Sequence, residues 1–307
     1  MMNKKVKKAV FPVAGLGTRF YPAAKVGAKE MMPIVDKPLI QYAVEEALGA
    51  GIDTLIFISG KSKRSIEDHF DRDFSLEDRL FKDNKKKALA KIKNIVPESV
   101  ACVHIRQPAP LGLGDAVLQA EPVIDHDEPF VVILADDLID SPKSKNCVQQ
   151  IIDTYQNSPA PDTCVCAIEK VAREQVHKYG IVNPRPQDHP SDQVWPITNF
   201  VEKPAPDKAI SSMAVIGRYV LHAHLFEFLR NTQKSIGGEI QLTDAIYQYA
   251  QQHSVLANRY YGKRYDCGNV LEYLIANIEY GRKHPDIRQH LDAYLKARQQ
   301  DWYQDSV

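Results

Sequence analysis

Short apolar runs alternating with amphipathic helical stretches restrict the fold of this 307-residue chain more than any other feature. Residues 8–14, 54–59, 100–105, 130–135 and 163–168 each have the length and content of a buried strand. Helical patterns separate them, which implies parallel crossovers and an α/β fold with a mostly parallel sheet covered by helices on both faces. Residues 38–50 carry Ile40, Ala43, Val44, Ala47 and Leu48 at helical spacing and stop at Gly51. Residues 76–93 read as one charged helix. Beyond Tyr179 prolines punctuate short β-rich segments, 193–201 and 213–221, so mixed or antiparallel strands and long loops are expected there. Helices return at 243–252 and from 269 onward. Leu291, Tyr294, Leu295, Arg298 and Trp302 recur at helical spacing, so the last helix has to pack on the body or on a second subunit.

Lys plus Arg equals Asp plus Glu at 39 each, so no overall field favours nucleic acid or an anionic membrane. The basic start is followed by too short an apolar run for a signal peptide, and a cytoplasmic protein is expected. Five cysteines, an odd number, point to reduced thiols. Cys164 and Cys166 alternate on an apolar strand and read as packing. His222 and His224 stand at a strand-to-helix junction with no obvious third ligand, and no metal role is expected of them. The whole of 1–307 reads as one domain, in stretches 1–170 and 171–265 followed by C-terminal helices (266–307) suited to oligomerisation.

The chemistry begins where the first strand breaks into Gly15-Leu16-Gly17-Thr18-Arg19, with Lys29 following. Glycines let backbone N–H groups approach anionic oxygens, and Arg19 and Lys29 add a forked donor and a point charge suited to polyphosphate. Phe20 replaces the third glycine of the dinucleotide fingerprint, and no Gly-Lys-Ser/Thr closes a P-loop. Gln107, before a second glycine turn at Gly112, can read the edge of a base, although ordinary helix-start chemistry explains that turn equally. Asp136-Asp137 at a strand tip can hold Mg²⁺. Asp266 is a possible partner or simply a helix cap. Gly180 lies in a Tyr-Gly-Ile-Val segment, and Glu202-Lys203 divides into a hydroxyl acceptor and a phosphate binder. A capped helix explains Thr243 and Asp244 but leaves Glu239 free.

The ordered series Gly15 to Arg19, Lys29-Glu30-Met31, Gly112 to Ala116, Leu134 to Leu138, Val201 to Pro204, Glu239 to Asp244 and Tyr265 to Gly268 resembles the bacterial UTP:glucose-1-phosphate uridylyltransferases of the sugar-nucleotidyltransferase family. The resemblance runs from about residue 7 to about residue 284. It implies a Rossmann-like, mostly parallel sheet with an inserted mixed β region for the sugar, which makes 1–170 the mainly nucleotide-binding half and 171–265 the mainly sugar-phosphate-binding half. It further implies that UTP and glucose 1-phosphate give UDP-glucose and pyrophosphate by Mg²⁺-assisted in-line attack. By the same resemblance Ala14, Gly15, Gln107 and Gly112 would contact uracil, and Gly17, Thr18 and Arg19 the triphosphate. Gly180, Glu202, Lys203, Val215 and Glu239 would hold the sugar phosphate, and Asp136 with Asp266 the metal, Asp137 being less secure. Arg19, Lys29 and Lys203 would stabilise charge during transfer. The chain departs from the common pattern at Ala24, Ala28 and Asp115, the last placing a negative charge beside the uracil turn. A homodimer or homotetramer is expected. Other readings are a relative using dTTP or another hexose 1-phosphate, and a non-catalytic regulatory paralogue.

Overall fold

The computed structural model describes residues 3–304 apart from Ser62, Lys143, Pro190 and Ile236, and of 299–304 the backbone only. From the N-terminus come β1 (Lys8–Val13), the short pair β2 (Pro33–Ile34) and β3 (Lys37–Pro38), helix α1 (Leu39–Gly49) and β4 (Thr54–Ser59). Helices α2 (Arg64–Phe70), α3 (Phe74–Lys82) and α4 (Lys86–Lys93) lead to β5 (Ala101–Arg106), α5 (Leu113–Leu118) and β6 (Pro129–Ile133). Next are β7 (Asp137–Asp140), α6 (Cys147–Gln156), β8 (Cys164–Lys170), β9 (Gly180–Val182), β10 (Val194–Pro196) and β11 (Phe200–Glu202). The chain continues through β12 (Met213–His222), α7 (Leu225–Asn231), α8 (Leu242–Tyr249), β13 (Val255–Arg259) and β14 (Lys263–Asp266). Helices α9 (Val270–Gly281) and α10 (Arg288–Gln304) close it.

One sheet of ten strands runs β10-β13-β8-β12-β6-β1-β4-β5, with β9 added beside β12 and β11 beside β9. β1 is parallel to β4 and β6, and β4 to β5, whereas β12 runs antiparallel to both β6 and β8. The pleat of β1 sends Val10 to one face and Ala9, Phe11 and Val13 to the other, and each face builds its own core. Residues of α5, α7 and α8 fill the first core, including Val117, Leu229 and Ile246. Residues of α1 and α6, including Val44 and Ile151, fill the second. This is the mixed α/β layering that the alternating pattern predicts, and Cys164 and Cys166 are buried packing in the first core.

Four expectations need correction. The single helix over 76–93 is two, because Asn84 takes a left-handed φ of 56°. Asn84 N–H bonds Phe81 O and Lys85 N–H bonds Leu80 O, a paired closure that ends α3 with asparagine as its left-handed residue. The segment 193–201 is two strands with different partners: β10 pairs with β13 and β11 with β9. Asn183 Oδ1 accepts from the Thr198 and Asn199 N–H groups in the gap and so holds the crossing. The strand expected over 130–135 is β6, which ends at Ile133, so Asp136 lies in the turn between β6 and β7 and not at the strand tip. Finally, the helix from 269 breaks before α10, at a stretch containing Pro285. On α10, Leu291 and Leu295 are half-buried while Tyr294 is exposed; the Trp302 side chain lies outside the described residues.

Candidate active site

At the carboxyl end of β1 the chain turns through Gly17, whose φ of 65° suits a residue without Cβ. The short 3-10 turns Thr18–Phe20 and Lys29–Met31 follow. Arg19 Nη1 donates to Gly268 O at 3.3 Å, and Lys29 Nζ donates to Asp136 Oδ2 at 2.6 Å. Burial opposes the charge on Lys29, but Asp136 and Glu30 outweigh it and hold the ammonium above its ordinary value. Burial likewise opposes the Asp136 carboxylate, and Lys29 followed by Arg19 brings it below the usual range. Glu30 points inward, where the Lys63 ammonium meets it at 2.7 Å.

The β6–β7 turn that carries Asp136 is pinned from below by β12. Arg218, 1% exposed, donates to Leu134 O, Gly217 O and Asp137 O and pairs with Glu46 at 2.8 Å. Beside it Gly217 lies where the β12 register shifts. A Cβ there would stand 2.5 Å from Leu134 Cβ, so only glycine allows this approach. Asp137 is fully engaged, accepting from Gly217 N at 2.9 Å and from Arg264 at 2.8 Å.

Asp266, at the end of β14, completes the acidic side. A Cβ on Gly268 would lie 3.0 Å from Asp266 Oδ1, 3.2 Å from Asp136 Oδ2 and 3.3 Å from Arg19 Nη1. Two carboxylate oxygens thus face one small space that Gly268 leaves open, and an all-oxygen donor pair suits a hard divalent cation. Burial, then the charges of Asp137 and Asp136, hold the Asp266 carboxyl above its ordinary value despite Arg264. A cation would relieve that repulsion.

Two adjoining cavities, about 480 and 240 Å³, share Asp136, Glu202 and Lys203. Ala14, Gly15, Gly17, Thr18, Lys29, Gln107, Gly112 and Glu239 line the larger; Arg19, Gly180, Val215 and Asp266 line the smaller. Every residue that the resemblance assigned to substrate, charge or metal therefore borders one continuous cleft. Gln107 Nε2 donates to Asp115 Oδ2 at 2.6 Å and to Gly112 O at 3.2 Å. Both partners are acceptors, so the amide nitrogen must face them, and the carbonyl end is left to the cleft. Asp115 itself is 7% exposed and absorbed in this contact, so its charge orients Gln107 behind the cleft wall. On the other side of the cleft, Glu202 lies opposite Gly180 in the β11–β9 pair, and Lys203 borders both cavities with φ 44°.

Nothing in the local pattern marks Thr243 as more than a cap. Gln241 is the N-cap of α8, and Thr243 Oγ1 is buried without a partner in the wall of the smaller cavity. Arg218 and Arg264 were also missed. Arg218 did leave a signal, because an arginine in the middle of the apolar run Met213–His222 is costly unless fully bonded. A larger cavity of about 600 Å³ lies between α6 and β13, but its charged groups Lys145 and Asp153 pair with each other, and no candidate residue lines it.

This cleft, at the carboxyl ends of parallel strands, coincides with a family profile. Residues 8–283 match the profile described as nucleotidyl transferase. The chain belongs to that family. Nucleotidyl transferases generally work with a divalent cation, in accord with the paired carboxylates. Among curated relatives of this nucleotidyl transferase, the UTP–glucose-1-phosphate uridylyltransferase YngB of Bacillus subtilis is 46% identical, over 96% of both chains. A UTP-bound UGPase from Acinetobacter baumannii superposes with a TM-score of 0.86 at 41% identity, covering 94% of this chain and 98% of that one. A UDP-glucose pyrophosphorylase complexed with UDP-glucose gives a TM-score of 0.81 at 43% identity, covering 91% of this chain and all of that one.

Proposed function

We propose that the chain catalyses uridylyl transfer from UTP to glucose 1-phosphate, releasing pyrophosphate and UDP-glucose. The observation that carries this reading is one cleft holding a phosphate turn, a base edge, a sugar-phosphate pair and two converging carboxylates, in a chain whose near-full-length relatives bear that activity in their names.

A phosphate oxygen of glucose 1-phosphate attacks the α-phosphorus of UTP, and the bond to the departing pyrophosphate breaks. The sugar phosphate is ionised at neutral pH, so its oxygen needs no general base. Gly15, Gly17 and Thr18 offer donors to the triphosphate, while Arg19 and Lys29 bring charge to the oxygens that become more negative. Gln107 presents its carbonyl end to the uracil N–H, with Ala14 and Gly112 against the ring. Lys203 holds the phosphate of glucose 1-phosphate, while Glu202, Gly180, Val215, Glu239 and Thr243 surround the sugar. The residues chiefly position two polyanions and offset their repulsion. Asp136 and Asp266 would hold Mg²⁺, which supplies charge neutralisation at the phosphates when bound.

The test is pyrophosphate release with UTP, glucose 1-phosphate and Mg²⁺, run beside dTTP, other nucleotides and other hexose 1-phosphates. UTP with glucose 1-phosphate is expected to turn over fastest; faster turnover with dTTP would reassign the base preference. Arg19→Ala is expected to lower kcat by roughly 10²-fold or more. Unchanged turnover would remove Arg19 from the site.

Val270, Leu271 and Leu274 on α9 are 57, 63 and 55% exposed, and this apolar face supports a homodimer or homotetramer. Light scattering is expected to give a multiple of the monomer mass, and a monomer at working concentration would exclude it. The five free cysteines suit a reducing cytoplasm; fractionation that places the protein outside the cytoplasm would reject that location.

A further inference from the structure

At the far end of β6 from the cleft, Asp127, His222 and His224 offer one donor atom each, and these atoms lie within 4.8 Å of one another. We propose that this cluster is a second cation site, taking a nitrogen-preferring divalent transition-metal ion such as Zn²⁺, and that it clamps the loop before β6 to the end of β12. The sequence supplied the histidines without a third ligand; the sheet supplies Asp127. β12 runs antiparallel to β6, so His222 pairs with Pro129, whereas Asp136 follows the opposite end of the same strand. A five-residue strand spans roughly 17 Å, which keeps this site separate from the catalytic carboxylates.

Two imidazoles and a carboxylate form a donor set that suits zinc, leaving a position for water, and differ from the all-oxygen set of Asp136 and Asp266. The His222 and His224 ring centres are 4.4 Å apart, and His222 Nε2 is 3.3 Å from Asp127 Oδ1. Lys4 occupies the other oxygen of Asp127, Oδ2, at 2.7 Å, so it need not be displaced. For Nε2 of His222 to bind the ion, its ring proton moves to Nδ1. The 3.3 Å contact of Nε2 with Asp127 is then made through the ion, and the long 3.4 Å contact from the His224 N–H is given up. His224 also borders a cavity of about 270 Å³ lined by Glu121, His126 and Glu227, a route by which a cation and its water can enter. The His126 ring centre is 5.5 Å from that of His224.

The alternative is a packed imidazole cluster without metal affinity. Equilibrium dialysis of the full chain against Zn²⁺ in excess Mg²⁺ separates the two readings. One equivalent of zinc is expected in the unaltered protein and in Asp136→Asn, whose catalytic carboxylate is gone. His224→Ala and Asp127→Asn are expected to weaken zinc binding by more than the roughly 10- to 100-fold that loss of an outer partner costs. Zinc is expected to raise the Tm of the unaltered chain and not that of His224→Ala, while His224→Ala keeps its turnover in Mg²⁺. Asp127 is exposed, so Asp127→Asn serves if the histidine variant does not fold. Zinc binding that disappears in Asp136→Asn, or that persists undiminished in both cluster variants, overturns the proposal.

Discussion

Lys29 and Asp136 touch at 2.6 Å, so each charge in the cleft is held at its post by the other before any substrate arrives. Lys203 is held in another way: its φ of 44° is strained for a residue with a side chain, and such strain persists where surrounding contacts fix it. Thr243 is the residue whose function the structure makes testable. A buried hydroxyl without a partner costs stability unless a ligand completes it. Thr243→Val keeps the shape and removes the hydroxyl. Steady-state kinetics is expected to show KM for glucose 1-phosphate rising about 10-fold, equivalent to ~1.4 kcal/mol, with KM for UTP unchanged. A fall in Tm would mean instead that the hydroxyl is satisfied within the fold.

Among elements, the β6–β7 turn depends most on a distant partner. Arg218 of β12 joins three backbone oxygens of this region to Glu46 of α1, so a strand, a turn and a helix meet at one buried guanidinium. Arg218→Met would leave Glu46, with a side chain only 9% exposed, without its counter-charge. A loss of ~3–5 kcal/mol is expected from the shift in denaturant midpoint, because breaking one half of a buried pair strands the other. kcat should fall as well, since Asp136 lies between the Leu134 and Asp137 carbonyls that Arg218 holds. A destabilised variant with full turnover would show that the turn keeps its shape unaided.

Across the molecule, the cleft sits where the parallel strands end and the inserted strands fold over them, and the acidic cluster there opposes stability. An aspartate held above its ordinary value keeps a proton that the unfolded chain has already lost, so stability falls as pH rises through that window and the cost persists at neutral pH. Asp266→Asn in chelator is therefore expected to melt at or above the Tm of the unaltered chain, while its turnover in Mg²⁺ drops by about 10² or more. Mg²⁺ should raise the Tm of the unaltered chain and have less effect on the variant. Among the described residues no helix is long and apolar enough to cross a membrane, and Val270, Leu271 and Leu274 leave an apolar face of α9 exposed.

Local pattern sufficed for the first strands, α1 and the glycine turns, because burial on a pleated sheet forces short apolar runs and a phosphate turn needs particular residues at adjacent positions. Gly15, Arg19, Gln107 and Glu202 were legible as candidates on the same ground, and all four border the cleft. The helix break at Asn84 was also written locally, in an Asp-Asn pair whose left-handed tolerance was overlooked. Pairing decisions were not local. That β12 runs antiparallel between β6 and β8 follows from which edges remain to be covered, and it alone brings Arg218 under the turn of Asp136 and His222 beside Asp127. Asp136 and Asp266 converge for the same reason, through the β7–β14 pairing of segments more than a hundred residues apart. Sequence by itself determined which residue types are on offer for the phosphates, base and sugar of the proposed reaction. Only the tertiary structure decided which of them share a cleft, because hydrogen-bonded pairing and packing act between segments whose separation along the chain carries no record of their distance in space.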